Sequence, residues 1–328
     1  MNTQTSKNRR SNRHLATTLL TAALAVFALP LHAADYTWTG GGTDRSWGTN
    51  SNWSSNPAFT TSNNLIFGDS TNTSLGAPSY IGAARSIGTI IFGSNADSSI
   101  GIRLTTTATG SAGRNLIVAG GVKVDSDASG NHTIGVGGLG SFRISSGTES
   151  VTFDHNGTGT LTVAAEISDD ALGKSLNKTG TGTLVFSAVN TYIGDTIVSA
   201  GTLNLTNTSE MRFALKEGNV SNSVSGDGTV NFNGLLRLDN TSFTGTSGAW
   251  NLVNVGTLNA TFGSTFGLAF MNGPTFTNAG GGIYTNGDWT FNTGTGTLTL
   301  TVPEPATCAF LAGLAILTGT IIRRRIRA

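Results

Sequence analysis

A short unit keeps returning along this chain. It reads Gly157-Thr-Gly-Thr-Leu-Thr-Val163, Gly180-Thr-Gly-Thr-Leu-Val-Phe186, Gly226-Asp-Gly-Thr-Val-Asn-Phe232 and Gly294-Thr-Gly-Thr-Leu-Thr-Leu300. Weaker echoes stand at Gly88-Thr-Ile-Ile-Phe92, Gly201-Thr-Leu-Asn-Leu205 and Gly256-Thr-Leu-Asn-Ala260. Each copy is a glycine turn followed by alternating apolar and polar positions, the period of a half-buried strand. Gly157 to Gly180 spans 23 residues and Gly180 to Gly201 spans 21. Periods near 20 belong to solenoids, where a unit buries its apolar face only by stacking on its neighbours. The expected fold is therefore all-β, a parallel β-helix or β-solenoid of short Gly/Thr-rich strands. An up-and-down barrel or sandwich competes with it, because turns every 8–12 residues are also partly present.

Composition narrows the choice further. The 328 residues include 45 glycines and 51 threonines, and only 11% are charged. That mixture disfavours helices and suits strands joined by tight turns. Hydrophobic residues make up 38%, enough to build a core. The formal charge of +1 hides a division, since eleven basic residues face seventeen acidic ones between positions 35 and 302. A mildly acidic body repels phosphate backbones, so nucleic acid is not expected as a partner.

Both ends read as addresses. Residues 1–33 combine the basic stretch Lys7 to Arg13, the apolar run Leu15 to Leu29 and the small-residue site Leu31-His32-Ala33. This is the pattern of a secretory signal peptide, cleaved around Ala33 and Ala34. At the other end, Pro303-Glu304-Pro305 precedes 17 apolar or small residues and then Arg323, Arg324, Arg325 and Arg327. As a helix, residues 306–322 would reach about 26 Å, enough to cross a bilayer core. Arginines beyond such a transmembrane span would hold that end in the cytoplasm and leave the body outside. The body expected between the two addresses is 34–302.

The tripartite tail 303–328 resembles the PEP-CTERM sorting signal. That resemblance implies recognition of Pro303, Glu304, Pro305 and the arginine cluster Arg323–Arg325 by an exosortase. It further implies removal of the tail during export across the inner membrane of a Gram-negative bacterium that makes extracellular polysaccharide. Residues 178–203 carry a second resemblance. Lys178-Thr-Gly180-Thr-Gly182-Thr183-Leu184-Val-Phe186, Asn190-Thr191-Tyr192-Ile-Gly194, Thr196 and Ala200-Gly201-Thr202-Leu203 are similar to the autotransporter-associated β-strand repeat. It implies one rung of the right-handed β-helix found in bacterial passenger domains. Leu184, Phe186, Ile197 and Leu203 are expected inside, and Asn190 is expected to bond its own backbone at a bend. Ala188 stands where that motif usually has glycine, and no large C-terminal translocator barrel follows.

Residues that could carry chemistry are sparse. The single cysteine, Cys308, lies in the tail, so the body holds neither a disulfide nor a cysteine-based metal site. His132 and His155 sit in Gly/Asn-rich, turn-like contexts and read as surface histidines. Gly135-Val-Gly137-Gly138-Leu-Gly140 matches a dinucleotide-binding pattern, but a strand-like Ser141-Phe-Arg-Ile follows instead of a helix, so it reads as a turn. Asp169-Asp170 is the best carboxylate pair for a polysaccharide-cleaving enzyme on a β-helix, but the further motifs of such enzymes are missing, and the pair reads as a solvated loop before Ala171-Leu172-Gly173. Trp38, Trp47 and Trp53 cluster near the mature N-terminus, where exposed rings could stack on sugars or buried ones could close the first rung. Ser209 could cap a short helix over 210–217 that stops at Gly218, or the segment could be another strand.

The function expected is that of an exported, non-enzymatic structural or adhesive protein of the cell surface or extracellular matrix. No cofactor, metal or catalytic residue is implied, and polysaccharide is the expected partner. The rivals are a carbohydrate-binding module built on Trp38, Trp47 and Trp53, and a lyase or hydrolase centred on Asp169 and Asp170.

Overall fold

A computed structural model describes residues 33–68, 78–110 and 112–301. The signal-peptide core and the sorting tail 303–328 lie outside these. A compact unit begins at Ala33, and Ala34 already joins it: the Asn64 backbone N–H donates to its carbonyl at 2.9 Å.

The described residues form 27 strands and two single-turn 3-10 helices. Three sheets are parallel, of ten, eight and four strands, and a fourth of five strands is antiparallel. Successive strands step from the first sheet to the second to the third and back again. Ser175–Thr179, Thr183–Phe186 and Val189–Asn190 make one such rung, and Thr196–Val198, Thr202–Leu205 and Glu210–Lys216 make the next. This is the pattern of a parallel β-solenoid. The segment 210–217 is thus a strand in the main, and the helix alternative at Ser209 is not taken; Met211, Phe213 and Leu215 alternate inward as a helix could not arrange.

Stacking puts like on like. In the second sheet Leu161, Leu184, Leu203 and Val230 stand in one inward column, and Val163, Phe186, Leu205 and Phe232 in the next. Their side chains are buried at 0–1% exposure, while Thr162, Val185, Asn204 and Asn231 between them face outward. Ile197, expected inside, instead faces outward and is only half-buried; Thr196 and Val198 on either side of it are buried. The rung corner before that strand sets the phase, and the buried Thr196 hydroxyl is matched by the Tyr192 hydroxyl at 2.6 Å. Ala188 keeps a negative φ, so its corner needs no glycine.

Two departures from a uniform solenoid matter. The repeat copy at Gly294 is not a rung: Thr297–Leu300 lies in the antiparallel sheet, between Gly248–Asn251 and Trp289–Asn292. That sheet places Trp250, Trp289 and Phe291 over the last rung, where Phe262 meets Phe291 at 6.0 Å and Trp250 stacks on Trp289 at 5.4 Å. A parallel stack ends in an open apolar face, and a meander rich in aromatic residues covers it.

Candidate functional site

The three tryptophans are inside. Trp38, Trp47 and Trp53 are 1%, 0% and 4% exposed, so none offers a ring face to a sugar. Trp38 meets Trp53 edge-on at 5.0 Å, and Phe67 packs against all three. Edge-to-face rings of this kind add stability beyond their buried area. The indoles are also tethered, Trp47 Nε1 to Ser79 Oγ at 3.1 Å and Trp53 Nε1 to the Trp47 carbonyl at 2.9 Å.

The carboxylate pair is divided between two structural tasks. Asp169 is 1% exposed, not solvated, and accepts three backbone N–H bonds: from Ala171 and Lys174 at 2.9 Å and from Ile193 at 3.2 Å. Ile193 belongs to the next rung. Asp170 is exposed, lies at φ 55° and pairs with Arg143. A carboxylate whose oxygens are filled by backbone donors has no free face to move a proton to or from a substrate.

This use of side chains recurs. Asp195 accepts from the Ser223 backbone N–H at 2.8 Å, Glu217 from Thr244 at 2.7 Å, and Asn219 from Ala249 at 3.0 Å. In every case the acceptor lies one rung before its donor, so loop N–H groups that the sheets cannot pair are satisfied from the neighbouring turn. Asn190 reaches furthest. Rather than bonding only its own bend, it accepts from Ile167 N–H one rung back and donates to the Glu210 carbonyl one rung on, at 3.1 Å each.

His132 and His155 are likewise buried, not on the surface. His132 continues the inward column above Leu161 and stacks flat on Phe92 at 4.3 Å. His155 ends the column Phe92, Val124, and its ring fits because residue 182 is glycine; a Cβ there would stand 2.2 Å from Nδ1. Lys178 joins them inside. It follows Val122 and Phe153 in an inward column, and its ammonium donates to the carbonyls of Thr179, Gly180 and Ala200 at 2.6, 2.7 and 3.3 Å. The strand alternation carries this signal: residues 155 and 178 fall at inward positions of their strands. Their polar identity hides it.

Burial governs how these groups titrate. It lowers His132 to about 4, with the neighbouring His155 adding to the effect, and lowers His155 to about 4, with Lys178 adding to it. Burial also brings Lys178 down to about 8 against the pull of Asp154. A histidine whose folded pKa lies below its unfolded value of about 6.5 binds fewer protons when folded, so stability rises with pH across that interval. The histidine contribution to the denaturation midpoint should therefore fall as pH drops from about 6.5 to about 4, below which Asp44 and Asp239, held under the ordinary carboxylate range, take over the loss. Combined His132→Phe and His155→Leu substitutions should flatten that slope in urea titrations followed by circular dichroism.

Among the described residues no group of three or more histidine, cysteine, aspartate or glutamate side chains could hold a metal ion. No described helix is long and apolar enough to cross a membrane. Gly135, Gly137, Gly138 and Gly140 all take positive φ and form a turn into the strand Ser141–Ile144. Ala33 and Ala34 sit exposed where the compact unit starts. Pro303, Glu304, Pro305, Arg323, Arg324 and Arg325 lie outside the described residues.

Comparison with known proteins adds one finding. Residues 176–205 match the model of the passenger-associated-transport-repeat, the β-strand repeat associated with autotransporter passenger domains. No curated protein and no solved structure matches the chain. The matched stretch runs from Leu176 to Leu205, one full circuit of the stack and the first step of the next, ending in the second sheet of the following rung.

Proposed function

We propose that this chain is an exported, non-enzymatic structural or adhesive protein of the cell surface or extracellular matrix, with extracellular polysaccharide as its partner. The observation that carries the reading is the use made of its polar residues. Asp169, Asp195, Glu217 and Asn219 hold one rung to the next, and the buried histidines and lysine lie within the stack. Acidic and basic side chains spent in this way hold the turns of an extended stack together and stabilise its surface. The passenger-type repeat supports export. The Pro303-Glu304-Pro305 tail with Arg323, Arg324 and Arg325 supports an exosortase as the processing partner, after cleavage by signal peptidase near Ala33.

One experiment covers both halves. The form released by cells that make the protein would be weighed intact and then incubated with neutral and acidic polysaccharides. A mass corresponding to a chain trimmed near residues 34 and 303, with no release of reducing ends or unsaturated sugars, is the expected outcome. Retention of Arg323–Arg327 would make the tail a permanent anchor, and steady sugar release would overturn the scaffold reading.

A further inference from the structure

Beside the buried tryptophans lies an open cleft of about 400 Å³, lined by Gly40, Gly42, Asp44, Arg45, Tyr80 and Ala108 among others. It is built, not incidental. Asn52 is fully buried and gathers the loop around itself: Nδ2 donates to the Asp44 and Ser46 carbonyls at 3.0 Å, and Oδ1 accepts the Gly42 N–H at 2.8 Å. Residue 42 must be glycine for this, because a Cβ would stand 2.6 Å from Asn52 Oδ1. The next stretch, Arg45 to Trp47, pairs with Tyr80: the Tyr80 N–H donates to the Arg45 carbonyl at 3.0 Å and the Trp47 N–H to the Tyr80 carbonyl at 2.9 Å. Burial of Trp47 thus fixes Asp44 and Arg45 outside it.

The lining has mixed chemistry in a fixed arrangement. Asp44 is a held carboxylate, accepting from the Ser46 N–H at 3.0 Å and from Asn52 Nδ2 at 3.2 Å. Burial is the largest single influence and opposes its ionisation, but the Ser46 N–H and the Thr49, Asn52 and Tyr80 side chains together outweigh it and keep Asp44 below the usual carboxylate range. Tyr80 is partly exposed. The Arg45 guanidinium makes no hydrogen bond or ion pair with any described residue, although it is only partly exposed. An anchored acceptor, a planar donor with no partner among the described residues and an aromatic ring in one cleft match the surface of a pyranose. Adjacent hydroxyls donate to the carboxylate and accept from the guanidinium, and the sugar's C–H face lies on the ring. One negative and one positive group leave the cleft without net charge.

From this geometry we infer that the Asp44–Arg45–Tyr80 cleft binds a neutral hexose unit of a polysaccharide. The inference rests on the polysaccharide partner proposed above and places it at residues other than the tryptophans. Nearby Trp38, Trp47 and Trp53 serve it from beneath, as supports.

The test is affinity electrophoresis of the full-length chain in native gels containing hydroxyethylcellulose or alginate, for the wild type, Arg45→Ala and Tyr80→Ala. Arg45→Ala removes no side-chain hydrogen bond or ion pair with a described residue, so its denaturation midpoint should stay close to that of the wild type even if Tyr80→Ala fails to fold. Retardation by hydroxyethylcellulose that weakens about ten-fold in Arg45→Ala is expected, the size of losing one charge-assisted hydrogen-bonded pair. Retardation that Arg45→Ala leaves unchanged would overturn the cleft while the polysaccharide reading stands. Retardation by alginate alone would overturn the neutral ligand, and none in either gel would overturn the cleft together with the proposed partner.

Discussion

Replacing Phe186 with alanine should lower the free energy of unfolding by about 3–5 kcal/mol, the usual cost of truncating a buried phenylalanine. Phe186 has no exposed surface, stands in register between Val163 and Leu205, and meets Phe153 edge-on at 6.3 Å. The strands above and below are held by their own ladder hydrogen bonds, so they cannot collapse into the space a missing ring leaves. Each rung is stabilised largely by its neighbours, which makes the loss fall on the interface between rungs as well as on the rung itself. Equilibrium denaturation of the full-length variant in urea, followed by circular dichroism, measures it. A midpoint within error of the wild type would mean that the column Val163, Phe186, Leu205 is not the core.

The second large effect is expected at Asp169. Asp169→Asn should cost about 3 kcal/mol, because an amide nitrogen would replace an acceptor where three backbone N–H groups converge on a buried side chain. Asp170→Asn should cost less than about 1 kcal/mol, since its pair with Arg143 is exposed and screened. The two adjacent residues thus provide an internal comparison in the same denaturation assay. Equal and small effects would return the pair to a solvated loop. Loss of a polysaccharide-cleaving activity in either variant, with stability unchanged, would instead favour the enzyme.

Much of the fold is local and therefore readable. Strand alternation depends on nothing beyond neighbouring residues, which is why Leu184, Phe186 and Leu203 are recognisable as inward-facing. Ile197 shows the limit of that reading. Its strand is only three residues long, and a one-residue change in the preceding corner reverses which side chains point in. The candidate site was legible in place but not in identity. Three tryptophans close together mark the end of the stack; the residues that meet solvent there are Asp44, Arg45 and Tyr80, brought together by a pairing 35 positions apart between Arg45 and Tyr80.

By itself the sequence determined an all-β chain, its rung-sized period and the alternation that builds the inward columns. Each of these is a property of residues within one strand or one turn. Only the tertiary structure decided which residues become neighbours across rungs. It set Asp169 beneath the Ile193 N–H, stacked His132 on Phe92, buried Lys178 among three carbonyls and turned the last Gly-Thr-Leu copy into an antiparallel cap. The physical reason is the corners. Their lengths vary from rung to rung, so the partner of a side chain in the next turn follows from how every intervening bend closes, a sum that no local pattern contains.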